Sequence, residues 1–132
     1  MSTKEIGTLG ESIAATFLER KGYRILERNY RKTWGEVDIV AERRGVVRFV
    51  EVKSVSRENS SSLSEGEFSR ETGQYRPEEQ VHPEKLRKIS RLAENYMVER
   101  HDGREYQIDV VGVFLDHAHR RARCRLFENA IL

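Results

Sequence analysis

The stretch GEVDIVAERRGVVRFVEVK, residues Gly35 to Lys53, decides the fold. It consists of two runs rich in Val and Ile, separated by the polar turn ERRG at 42–45. This pattern is typical of a β-hairpin. Because side chains alternate between the two faces of a strand, Glu51 and Lys53 point the same way. We therefore predict a hairpin whose second strand carries a carboxylate beside an ammonium.

Two acidic residues interrupt apolar strands. Asp38 lies among Val and Ile in the first strand of the hairpin, where an unpaired buried carboxylate is strongly unfavourable. A Mg²⁺ or Mn²⁺ ion would provide the missing charge, because such ions are held by one or two carboxylates together with water and phosphate oxygens. The alternative is an ion pair of Lys53 with Glu51 or Asp38 at a solvated strand end. For the second acid, Asp109, we predict a structural role, paired with an arginine or with backbone donors.

A long helix is predicted before the hairpin, from Thr3 to Lys21, with Gly22 after its end. Its apolar side chains recur at helical spacing, at Ile6, Leu9, Ile13 and Phe17. Glu11 lies off the centre of this stripe, beside small residues that allow a close approach of the backbone. We expect Glu11 to reach the hairpin. The alternative is an ordinary exposed helix glutamate.

A short strand is predicted over Tyr23 to Tyr30, and the residues Asn29 to Lys32 are predicted to form a basic turn. Arg31 and Lys32 in this turn are candidates for contacts with nucleic-acid phosphates. The alternative is that they cover the end of the sheet.

The second half of the chain is predicted to contain a helix from Pro83 to Arg100 and strands over Tyr106–Leu115 and Arg123–Phe127. The first half of this helix is basic, which opposes the helix dipole unless a polyanion is bound. Lys85 and Lys88 are therefore further candidates for nucleic-acid binding. The alternative is a solvated charged face.

Length and composition set the outer limits. The 132 residues predict a single domain, with a mobile polar loop over residues 56–80. A formal charge of +2 is too small to require a nucleic-acid partner, although it allows a local basic face. The single cysteine, Cys124, excludes an internal disulfide, and no apolar segment is long enough to span a bilayer. We expect a cytoplasmic protein that does not enter the membrane.

The hairpin resembles the PD-(D/E)xK nuclease superfamily, with Asp38 as the first acid, Glu51-Val52-Lys53 as the (D/E)xK element and Val37 in place of the proline. Seven segments also match, in order and spacing, the UPF0102 (YraN-like) family: GTLGESIAA (7–15), GY (22–23), NYR (29–31), GEVDIV (35–40), FVEVK (49–53), VHPEK (81–85) and IDVV (108–111). The sequence departs from that family where Val55 and Ser56 follow Lys53, since an arginine is usual there, and where the next segment is longer.

The UPF0102 family is similar to archaeal Holliday-junction resolvases. That resemblance implies an α/β fold with a restriction-endonuclease-like α-β-β-β-α-β core, in which helices flank a mixed central sheet. It also implies Glu11, Asp38, Glu51 and Lys53 as catalytic positions, and a homodimer.

The residues and the resemblance together predict an endonuclease that depends on Mg²⁺ or Mn²⁺ and hydrolyses phosphodiester bonds in branched or single-stranded DNA. Asp38 and Glu51 are the expected metal ligands, with Glu11 acting on the metal directly or through water. Lys53 is expected to position the water or the phosphate. Two alternatives are a nucleic-acid-binding protein of the same fold that does not cleave and an interaction module with an ion-pair network.

Overall fold

A computed structural model of the chain describes residues 1–57 and 82–130. In chain order the elements are α1 (Thr3–Arg20), β1 (Arg24–Lys32), β2 (Gly35–Arg43), β3 (Val46–Arg57), α2 (Pro83–Glu99), β4 (Tyr106–Asp116) and β5 (Arg121–Phe127). The five strands form one sheet in the order β1-β2-β3-β4-β5. Strands β3 and β4 are parallel, and the other neighbours are antiparallel. The predicted α/β fold and the order of its helices and strands are confirmed.

The hairpin closes through a two-residue turn. Arg44 and Gly45 both have positive φ, of 53° and 77°, which is the signature of the type I′ turn that suits the twist of β-hairpins. The predicted turn of four residues was too long, because Glu42 and Arg43 still pair with Val47 and Val46.

Helices α1 and α2 cover opposite faces of the sheet. Helix α1 packs Ala14 and Leu18 into one apolar cluster, and α2 packs Ile89 and Leu92 into the other. Helix α1 ends at Arg20, and Gly22 follows with a φ of +91°, which is readily adopted only by glycine. No helix in the described ranges is both long enough and apolar enough to cross a membrane.

Two further predicted boundaries were also wrong. Residues 29–32 are the end of β1 and not a turn, because Tyr30 pairs with Val37 and Lys32 with Gly35. The loop predicted to begin at Ser56 begins later, since β3 runs on to Arg57 beside β4. The remainder of that predicted loop, 58–80, lies outside the described residues.

Asp109 is fully buried in a polar network on the α1 side of the sheet. Its carboxylate lies 3.6 Å from the Arg48 guanidinium and accepts hydrogen bonds from the Tyr23 hydroxyl, the Gln107 amide and the Asn129 backbone N–H. Asp109 therefore pairs with an arginine and a backbone donor, as predicted. The network fastens the chain after β5 to the sheet.

Candidate active site

Three carboxylates from three different elements line one small cavity. Glu11 of α1, Asp38 of β2 and Glu51 of β3 surround a volume of about 220 Å³, together with Lys53 and Lys85. The structure thus brings together all four predicted catalytic residues.

Asp38 reaches the cavity because the ladder between β2 and β3 ends next to it. The last paired residues are Ile39 and Val50. Beyond them, an Oδ2 atom of Asp38 accepts a hydrogen bond of 2.7 Å from the Val52 N–H. The side chain supplies an acceptor where a neighbouring backbone carbonyl would otherwise be needed. Asp38 is therefore held in place by β3 itself.

Glu11 reaches the cavity because Gly10 lets α1 approach β3 closely. A Cβ atom at Gly10 would lie 1.8 Å from the Ser54 Oγ and 2.9 Å from its Cβ. Both distances are too short for any side chain larger than hydrogen. The glycine before Glu11 therefore sets the distance between the helix and the strand that carries Glu51.

The carboxylates share the cavity at an electrostatic cost. The Glu51 side chain is only 4% exposed, and burial, reinforced by the hydrogen bond and charge of Asp38, raises its pKa to about 9. Burial and Asp38 likewise raise the pKa of Glu11 to about 7. Around neutral pH the metal-free site therefore retains protons that isolated carboxyl groups would have lost.

Among the described residues, Lys85 is the cation that forms an ion pair with Glu51. Its Nζ lies 3.0 Å from the Glu51 Oε2, and this charge opposes the rise in the pKa of Glu51. This ion pair is the one close partner of Oε2, which has no other hydrogen-bond partner within the described ranges. Lys53 lines the same cavity, is exposed, and forms no ion pair with another described residue. The alternative in which Lys53 pairs with Glu51 is thus not seen.

Comparison with known proteins decides the family. Residues 10–113 match the model of "Uncharacterised protein family UPF0102". The chain belongs to the UPF0102 family. A UPF0102 protein of Moorella thermoacetica is 36% identical over 131 residues, which cover 98% of each chain. Another, from Syntrophus aciditrophicus, is 40% identical over 110 residues, covering 83% of this chain and 76% of that protein.

The basic residues predicted to bind nucleic acid divide into two groups in this UPF0102 protein. Arg31 and Lys32 form exposed ion pairs, of 2.8 Å with Glu36 and of 3.1 Å with Glu99, and line neither of the cavities described here. They lie on the surface of the sheet at the end of β1, and their contact with nucleic acid stays a prediction.

Lys85 lies beside the carboxylates, and Lys88 lies three residues further along α2. Both line a neighbouring cavity of about 620 Å³, together with Trp34 and His82. Sequence reasoning selected Lys85 as a phosphate contact but missed its pairing with Glu51. No local pattern reveals it, because the two residues are 34 positions apart and meet only when α2 packs on the sheet.

Proposed function

We propose that this UPF0102 protein is a divalent-metal-dependent endonuclease that hydrolyses phosphodiester bonds in branched or single-stranded DNA. The observation that carries the proposal is the Glu51 carboxylate. It is almost completely buried next to a second carboxylate, and the ion-pair partner of its Oε2 among residues 1–57 and 82–130 is the half-exposed ammonium of Lys85, at 3.0 Å. One half-exposed ammonium does not balance two adjoining carboxylates, and a divalent cation would supply the missing positive charge.

The donor set fits Mg²⁺ or Mn²⁺. Asp38 and Glu51 offer only carboxylate oxygens, the ligands that hard cations prefer. In the described part of the chain, no three His, Cys, Asp or Glu side chains form a ready-made metal cluster. Mg²⁺ does not need such a cluster, because water and substrate phosphate oxygens complete its shell. Asp38 and Glu51 would hold the ion, which would supply Lewis acidity and orient water when bound.

The remaining residues have roles that follow from their positions. Lys53 is exposed at the cavity, so its ammonium is available to stabilise negative charge developing on a phosphate. Glu11 lines the same cavity as Asp38 and Glu51, a position from which it would act on the metal directly or through water. The Asp38 carboxylate is fixed by the Val52 N–H, so the arrangement is held before substrate binds.

One observation favours a second function, binding of nucleic acid without cleavage. Lys85 already compensates part of the Glu51 charge at 3.0 Å, so the site has some cationic compensation without a metal. In that case the basic residues of α2 would hold the nucleic acid and the carboxylates would be structural.

A cleavage assay separates the two functions. The purified protein is incubated with Mg²⁺ or Mn²⁺ and a panel of single-stranded, duplex, flapped and four-way-junction DNAs, with matched RNAs. We expect metal-dependent cutting that is lost in Lys53→Ala and Asp38→Asn while DNA binding survives.

Lys21→Ala is the matched control, since Lys21 follows α1 ten residues after Glu11, roughly 15 Å along the axis. This variant should cleave normally. Intact substrates across the whole panel, with binding retained, would favour the second function.

A homodimer is part of the nuclease proposal, because two symmetric incisions across a junction need two sites. Light scattering of the protein bound to a four-way junction would test it.

A further inference from the structure

Lys85 belongs to both cavities at once. It lines the carboxylate cavity with Glu51 and the larger neighbouring cavity with Trp34 and Lys88. Its side chain is 51% exposed, whereas that of Glu51 is 4% exposed. The lysine is therefore the mobile partner of this ion pair, and the glutamate is the fixed one.

The Glu51 carboxylate cannot serve Lys85 and a metal ion equally well. Mg²⁺ binds carboxylate oxygens at roughly 2.0–2.1 Å. An ammonium that stayed 3.0 Å from the same oxygen would lie within roughly 5 Å of the ion, where two positive charges repel each other. Binding of a metal at Glu51 therefore favours departure of the ammonium.

The larger cavity offers the released side chain a second location. It has a volume of about 620 Å³ and contains a second ammonium, that of Lys88, close to the first turn of α2. Two carboxylates, those of Glu36 and Glu84, also line this cavity, so an anion is favoured where the two ammonium groups and the positive end of the helix outweigh them. A nucleic-acid phosphate placed beside the carboxylate cavity would lie within reach of the freed Lys85.

We propose that Lys85 exchanges partners during binding: it pairs with Glu51 in the metal-free protein and passes to a phosphate of the nucleic acid once a divalent ion occupies Asp38 and Glu51. The inference rests on the proposed function and goes beyond it. Lys85 becomes a positioning residue through which metal binding strengthens nucleic-acid binding.

Lysine acylation, followed by peptide mass spectrometry, measures this exchange without any cleavage. The protein is labelled with a water-soluble acetylating ester in EDTA, in Mg²⁺, and in Mg²⁺ with a single-stranded phosphorothioate DNA. We expect acylation of Lys85 to rise roughly fivefold with Mg²⁺, the factor expected for release from a partly exposed ion pair. It should fall again when the DNA is added.

Lys88 is the matched control, because it lies three residues further along α2 and lines only the larger cavity. Its acylation should not respond to Mg²⁺ alone. In Lys85→Gln, the increase in DNA affinity that Mg²⁺ produces in the parent protein should be reduced severalfold.

The outcomes distinguish this inference from the proposed function. If Mg²⁺ stabilises the parent protein but not Asp38→Asn, and acylation of Lys85 stays constant, the exchange of partners is overturned. The nuclease proposal then still stands. An equal response of Lys85 and Lys88 also overturns it. Absence of any Mg²⁺-dependent stabilisation overturns both.

Discussion

Replacing Glu51 with glutamine should make the metal-free protein more stable. The pKa of Glu51 is raised from 4.5 to about 9 in the folded protein, chiefly by burial. A raised pKa contributes stability that is fully present below pH 4.5 and is lost as the pH rises towards 9. Between pH 4.5 and pH 7 the free energy of unfolding falls by about 3 kcal/mol for this reason, because each pH unit in this range removes about 1.4 kcal/mol. Glutamine, which does not ionise, avoids this loss.

Urea unfolding in EDTA measures the effect, with the emission of Trp34, the only tryptophan, as the signal. We expect Glu51→Gln to exceed the parent protein by about 3 kcal/mol at pH 7, or roughly 10 °C in melting temperature. The difference should approach zero near pH 4.5. Losing the ion pair should matter little, because Lys85 is half exposed and can turn to water.

The control is Glu94→Gln, on an exposed position of α2. It should change stability by less than about 0.5 kcal/mol at any pH. A Glu51→Gln variant that is less stable than the parent protein at pH 7, or whose advantage does not change with pH, would refute the view that these carboxylates are held together at an electrostatic cost.

Three further variants test the supports of the site. Asp38→Ala should be about 1–2 kcal/mol less stable than Asp38→Asn in urea, because both lose the charge but only alanine leaves the Val52 N–H without an acceptor; equal stabilities would argue against that role. Gly10→Ala should lower stability by about 1–3 kcal/mol through its clash with Ser54 and reduce cleavage, and an unchanged melting curve would contradict the close approach. Asp109→Ala should destabilise by about 3 kcal/mol, since it breaks a buried ion pair, while calorimetry shows unchanged Mg²⁺ binding; a weakened metal affinity would count against a purely structural role.

The parts of the fold that follow local patterns were predictable. The period-2 runs around the turn at Arg44 and Gly45 predict the hairpin, and the helical spacing of apolar residues predicts both helices. The ends of β1 and β3 were not predictable. They are extended by pairing with β2 and β4, and a polar sequence that pairs with a neighbouring strand looks locally like a loop.

The candidate site was predictable as a set of residues but not as a network. Asp38 and Glu51 could be identified as candidate site residues because acidic side chains are rarely buried in apolar strands. The contact between Lys85 and Glu51 depends on how α2 packs across the sheet, and the approach of Glu11 depends on the fit of Gly10 against Ser54. Both are tertiary distances, for which a single sequence carries no periodic signal.

Anomalous X-ray diffraction from crystals soaked in Mn²⁺ tests metal binding by Asp38 and Glu51 most directly. We expect a single strong anomalous peak between the carboxylates of Asp38 and Glu51, within roughly 2.0–2.3 Å of an oxygen of each, and its loss in Asp38→Asn crystals. Fully soaked crystals that show no peak there, with the Lys85 ammonium still beside Glu51, would contradict it.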